Sequence, residues 1–152
     1  MVGATDLEGW TVLHCAVEKG DAEMVRALLS SDKVNEAMVR AADEHRRTAL
    51  HRAVEKGDAE MVRAFLADPR VDEAMVRAVD EDGWTVLHFS AFYGHPEMVR
   101  ALLSSDKVSE AMVRAADNFG RTVLHLAVKK GDAEMVRALL SSDKVMRLCA
   151  RR

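Results

Sequence analysis

The sequence has only 8 glycines and 2 prolines in 152 residues. A sandwich or barrel of short strands needs turn residues at every hairpin, so this shortage points to helices. Cys15 and Cys149 stand near opposite ends of the chain and outline neither a disulfide framework nor a metal motif. They read as reduced, partly buried small side chains, which suits an intracellular protein, cytoplasmic or nuclear. No apolar run approaches the ~20 residues of a membrane span. The opening Met-Val-Gly-Ala-Thr-Asp has neither the basic nor the apolar region of a signal peptide. Charge of one sign is also missing. The 22 Lys and Arg against 25 Asp and Glu leave a net charge of −3, too little for bulk attraction to nucleic acid or an anionic membrane. Apolar residues at 49% and charged residues at 31% exclude a disordered tail. Catalytic signatures are absent as well: no Gly-rich phosphate loop, Cys-x-x-Cys, His-Glu-x-x-His or nucleophile elbow occurs. An enzyme is not expected, and no cofactor or metal is implied.

A repeat is what the chain does contain. Histidines at 14, 51, 88 and 125 are each 37 residues apart, and four units align without a gap as Ala4–Arg40, Ala41–Arg77, Ala78–Arg114 and Ala115–Arg151. Fourteen of the 37 columns are invariant, and Lys19–Val34 recurs unchanged as Lys130–Val145. Such regularity describes one supersecondary element stacked on copies of itself, a single repeat domain over 1–152.

Within a unit, Thr11 is placed to cap a helix running through Val-Leu-His-Cys-Ala-Val-Glu-Lys. Gly20 stops it, because glycine enters the left-handed region without a Cβ penalty. Asp21 then caps a second helix whose Met24, Val25, Leu28 and Leu29 form a broad apolar face. Thr48, Thr85 and Thr122 repeat the cap, and Gly57, Gly94 and Gly131 repeat the stop. His95-Pro96 replaces the Asp-Ala start of the second helix in unit three, with proline at the first helical position.

The runs Glu8-Gly9-Trp10-Thr11-Val12-Leu13-His14 and Asp82-Gly83-Trp84-Thr85-Val86-Leu87-His88 resemble the ankyrin signature Asp-x-x-Gly-x-Thr-Pro-Leu-His. The likeness continues through Ala16, Gly20 and Glu23-Met24-Val25-Arg26-Ala27-Leu28-Leu29, and it covers all four units. It implies an all-α, ankyrin-like solenoid of helix–turn–helix units joined by protruding loops and serving as a protein-binding scaffold. Two departures stand out. The signature proline is replaced by Val12, Ala49, Val86 and Val123, and the period of 37 exceeds the family's period of about 33.

The extra residues fall between Leu29 and Thr48, where Glu-Ala-Met-Val-Arg-Ala-Ala is rich in strong helix formers. Asn35, Asp72 and Ser109 stand as N-caps before it, and Val34 with Val39 has the spacing of a hydrophobic staple. Glu36 and Arg40 make an i,i+4 pair. A short third helix replacing the β-turn finger is therefore expected, with an elongated hairpin loop as the alternative.

Several ladders invite chemical readings. Helices pack 8–10 Å apart, so repeat histidines do not readily share one ion. His14, His51, His88 and His125 are instead expected to be structural, bonded to Thr11, Thr48, Thr85 and Thr122. Met24, Met61, Met98 and Met135 read as inter-helix packing, as do Met38, Met75 and Met112. Arg26, Arg63, Arg100 and Arg137 each follow a glutamate by three residues and read as a salt-bridged surface.

Binding is expected where columns vary. Six of the seven aromatic residues lie in the varying columns of the loop and first helix: Trp10, Trp84, Phe89, Phe92, Tyr93 and Phe119. Aromatic residues and arginine dominate interface hot spots. The expected partner-binding set is therefore these six with Arg47 and Arg121, on the concave face and loop tips that the resemblance implies. Phe89 and Phe92 have the rival reading of gap-fillers in an idiosyncratic unit.

Unit one and unit four keep the internal consensus, so Val12, Leu13, Met135, Val136 and Leu139 are expected to leave apolar surface bare, with the tail from Val145 to Arg152 as a partial basic cap. Self-association through these uncapped repeats would follow, making a homo-oligomer. Three functional classes result: a protein-interaction module, a designed or consensus-type scaffold that only folds and assembles end to end, and nucleic-acid binding through the arginine ladder. The first is preferred, with no nucleic acid and no membrane as partner.

Overall fold

The 37-residue period becomes a period of helices. The computed structural model describes residues 5–7 and 9–142, and among them are eleven α-helices and no β-strand. The first helices of the units are α1 (Val12–Lys19), α4 (Ala49–Lys56), α7 (Val86–Phe92) and α10 (Val123–Lys130). The second are α2 (Ala22–Ser30), α5 (Ala59–Ala67), α8 (Pro96–Ser104) and α11 (Ala133–Leu140). Each first helix packs on the first helix of the next unit and on its own second helix, and the second helices form a parallel row.

The caps follow the local chemistry. Thr11, Thr48, Thr85 and Thr122 each accept from the backbone N–H of the histidine three residues on, while the histidine ring accepts from the threonine N–H. Gly20, Gly57 and Gly131 are left-handed at φ 76, 76 and 72, and each closes a first helix. In unit three Tyr93 takes that position and Gly94, at φ 71, follows it.

The third helix stands where the composition places it: α3 (Glu36–Arg40), α6 (Glu73–Val76) and α9 (Glu110–Arg114). Asn35 and Asp72 accept from Met38 and Met75 N–H at 2.9 Å. Ser109 makes no such cap, because the Met112 N–H goes to the serine's own carbonyl at 3.1 Å. Val34 and Val39 are both buried, as a staple requires, and Glu36 holds Arg40 at 2.9 Å.

The helix does not displace the finger, however; it precedes it. After α3 the chain still turns tightly, with Asp43 N–H donating to Arg47 O at 2.9 Å and Arg46 N–H to Asp43 O at 2.9 Å, and one antiparallel bridge joins Ala42 to Thr48. Asp80–Trp84 and Asp117–Arg121 close in the same way. The four extra residues per unit lengthen the connector enough for both features. Arg46 stands at φ 65 in this turn, where Gly9, Gly83 and Gly120 occupy the other units.

A continuous apolar core runs through all four units. Met61, Met98 and Met135 are in it, whereas Met24 is exposed. Leu13, Met135 and Leu139 are also buried, and Val12 and Val136 pack against the core. The expectation that these five leave bare apolar ends is thus corrected for Leu13, Met135 and Leu139, which are buried, while Val12 and Val136 stay partly exposed. The proposed tail cap from Val145 to Arg152 lies outside the described residues, as does Cys149.

Candidate protein-binding surface

The variable columns sit on a frame built by the invariant ones. His14 Nε2 meets the Arg47 carbonyl at 3.0 Å, His51 Nε2 meets Ala78 O at 3.1 Å, and His88 Nε2 meets Arg121 O at 3.0 Å. With Nδ1 accepting from the threonine, each ring is neutral and donates from Nε2 to the next unit. Burial holds His14 and His88 below the ordinary imidazole value and pushes His51 down to about 4. His125 keeps its bonds to Thr122 but is exposed.

Each finger is organised by an aspartate that we had not singled out. Asp43 Oδ1 accepts from His45 and Arg47 N–H at 2.9 and 3.0 Å. Asp80 does the same for Asp82 and Trp84, and Asp117 for Phe119 and Arg121, all at 2.9 Å. The second oxygen orients the surface. Asp43 Oδ2 holds Arg52 at 2.7 Å, Asp80 Oδ2 lies 3.4 Å from Arg47 Nε, and Asp117 Oδ2 accepts from Trp84 Nε1 at 3.0 Å and Arg121 Nε at 2.9 Å. Burial alone would push Asp43 and Asp117 upward, but these charged and backbone donors outweigh it and hold both carboxyls below the ordinary range. An invariant aspartate at the head of a variable loop was the available signal.

A second missed group ties units together from behind. Arg70 donates to the Leu29 and Val34 carbonyls, and Lys107 Nζ donates to Leu66 O at 2.5 Å and Asp68 O at 3.0 Å. Each cation thus reaches carbonyls at the end of the preceding unit's second helix, where the helix dipole is negative. The recurring cation at Lys33, Arg70 and Lys107 was the sequence trace of it.

On this frame the aromatics converge in unit three. Trp84 lies 5.3 Å from Phe89 and 4.9 Å from Phe92, and Phe92 meets Tyr93 at 5.0 Å. Phe89 is fully buried, edge-on to His51 at 5.4 Å and beneath the Arg47 guanidinium at 5.1 Å. It is therefore the floor of the cluster rather than a contact surface. Phe92 and Tyr93 remain 38% and 39% exposed, and Phe119 reaches 72% at the next finger, with Arg121 over its ring at 5.0 Å. Trp10 stands apart in unit one, covered by Arg52 at 5.2 Å. The set is thus one cluster of Arg47, Trp84, Phe89, Phe92 and Tyr93, flanked by Phe119 and Arg121, with Trp10 outside it.

The first helices also touch along a diagonal rung. Lys56 meets Glu18 at 3.0 Å, the Tyr93 hydroxyl meets Glu55 at 3.4 Å, and Lys130 Nζ sits over the Phe92 ring at 4.8 Å. On the opposite side two arginines of the ladder are ion-paired: Arg26 meets Glu23 at 3.1 Å and Glu60 at 3.6 Å, and Arg100 meets Glu134 at 3.7 Å. A shallow cleft of about 510 Å³ opens there between α5 and α8, lined by Arg63, Leu66, Glu97 and Arg100. Among the described residues no group of three or more His, Cys, Asp or Glu could hold a metal ion, and no helix is long and apolar enough to cross a membrane.

Stacked helical units with an invariant frame and a variable face define a repeat solenoid. The chain belongs to the ankyrin repeat family: the family model for ankyrin repeats in 3 copies matches residues 2–75 and again 69–147. No curated protein matches it. Ankyrin repeats are generally protein-interaction modules, and the family is typically non-enzymatic.

Proposed function

We propose that the protein is a non-enzymatic interaction scaffold that binds another protein on the face formed by α4, α7 and α10 and the adjoining finger tips. The observation that carries this reading is the cluster in unit three, where partly exposed Phe92 and Tyr93 stand on a fixed aromatic floor beside exposed Phe119. Aromatic side chains held rigid before binding lose little entropy on contact, which suits them to anchoring a partner. Cys15 is exposed rather than partly buried, and its free thiol fits an intracellular setting, cytoplasmic or nuclear. The test compares proteins retained from cell extract by the wild-type chain and by a Tyr93→Ala/Phe119→Ala variant, both on exposed positions. Partners should be lost from the variant while its melting temperature stays close to that of the wild type. Equal retention of every protein by both would remove the reading.

A second reading, head-to-tail association of copies, is favoured by the outer side of unit four. There His125 is exposed, unlike its three counterparts that donate across a unit boundary, and Val128 on the same helix is exposed too. Light scattering that returns only monomer at high micromolar concentration would exclude it.

A further inference from the structure

The two positions that form the diagonal rung read Glu18-Lys19, Glu55-Lys56, Phe92-Tyr93 and Lys129-Lys130 along the four units. Their formal charges cancel in units one and two, vanish in unit three and reach two positive charges in unit four. The neutralised part is visible in contacts: Lys56 pairs with Glu18, and Glu55 faces Arg52 at 3.5 Å and the Tyr93 hydroxyl at 3.4 Å. Arg47, Arg52 and Arg121 are likewise spent on Asp80, Asp43 and Asp117. Lys129 and Lys130 differ from all of these. Both are exposed in the last turn of α10, and neither has a carboxylate partner among the described residues. Lys130 contacts only the π-face of Phe92, so an uncompensated cation pair borders the exposed aromatics on one side.

We infer that the occupant of this face is an extended peptide segment whose apolar side chain sits on Phe92 and Tyr93 and whose neighbouring acidic residues lie on Lys129 and Lys130. This rests on the interaction reading above and deepens it by giving the partner a chemistry and a direction: apolar over unit three, acidic over unit four. A basic segment is disfavoured, because it would bring its charge against Lys129 and Lys130. Units one and two, whose formal charges at these positions cancel, supply little preference.

The probe is a displayed library of random dodecapeptides, selected at low salt on the wild-type chain and on two variants, Lys129→Gln/Lys130→Gln and Tyr93→Ala/Phe119→Ala. Glutamine keeps helix propensity and adds no charge at the α10 terminus, so the first variant retains the fold. Peptides enriched on the wild type should pair an aromatic or branched aliphatic residue with Asp or Glu. Their affinity should fall roughly three- to tenfold in the glutamine variant and fall with added salt. Enriched peptides without acidic excess, or with affinity unchanged by the glutamine pair, would overturn the inference, as would a selection that enriches nothing. If those peptides lose binding to the Tyr93/Phe119 variant yet ignore the lysines, the interaction reading stands and only the acidic chemistry falls. If they bind all three proteins equally, the face itself is wrong.

Discussion

Units two and three share a backbone and differ in what they do with it. Arg52-Ala53-Val54-Glu55-Lys56 in one corresponds to Phe89-Ser90-Ala91-Phe92-Tyr93 in the other. Arg52 stays at the surface, on Asp43 and the Trp10 ring, while Phe89 at the same column turns into the core. At the equivalent column of unit four Leu126 is buried as well, so the column turns inward for an apolar side chain and outward for Arg52. Once Phe89 is inside, it carries Trp84, Phe92 and Tyr93 on its rim, and an ion-paired face becomes an aromatic one.

The sharpest way to break this comparison is Phe89→Ala. Removing a fully buried aromatic should cost ~3–5 kcal/mol in urea unfolding, whereas Phe89→Leu, the residue type at the equivalent Leu126, should cost less than ~1.5 kcal/mol. Similar costs for the two would show that Phe89 is not the floor.

Acid probes the same junction from the other side. His51, edge-on to Phe89, titrates near 4 in the folded chain, against an ordinary value of 6.5. The unfolded chain therefore binds the extra proton first as pH falls below 6.5. Its contribution to stability is complete above that value and is lost progressively toward pH 4, by up to ~3 kcal/mol. Unfolding free energies from pH 7 to 4.5, with histidine titration followed by NMR, test this. A His51 resonance that titrates near 6.5 would contradict the sealed junction.

The smallest effect belongs to the fingers. Unit two has Arg46 at φ 65 where unit three has Gly83. Arg46→Gly should stabilise by ~1 kcal/mol, because the exposed arginine gives up a left-handed strain and no packing. An unchanged melting temperature would mean the turn carries no strain.

Much of this organisation was legible in the residues because its signals are local. Thr11, Asp21 and Gly20 act within one turn of where they stand, so caps and stops could be read one at a time, and the repeat then multiplied each reading by four. The third helix was legible for the same reason, from Asn35 and the run behind it. What escaped reading acts at a distance. Arg70 and Lys107 reach carbonyls about one unit earlier in the chain, which periodicity flags but does not explain. Phe89 stood in a variable column and was expected at the surface, since variability registers exchange and not direction. Ser109 resembles a cap in type, but its hydroxyl is buried without a partner. Asp43, Asp80 and Asp117 are visible in the sequence as an invariant column, but that they also aim Arg52, Arg47 and Trp84 is not.

His14, His51 and His88 reach the next unit through its carbonyls and not through its side chains. Arg47, Ala78 and Arg121 serve equally as acceptors, since every residue brings the same oxygen. Main chain and side chain thus divide their labour: the carbonyls of Arg47 and Arg121 hold the stack, while their side chains pair with Asp80 and Asp117 and lie over Phe89 and Phe119. The frame bond of each seam therefore accepts any residue at the carbonyl position, whereas the rungs beside it, Lys56 on Glu18 and Trp84 on Asp117, depend on which side chains meet.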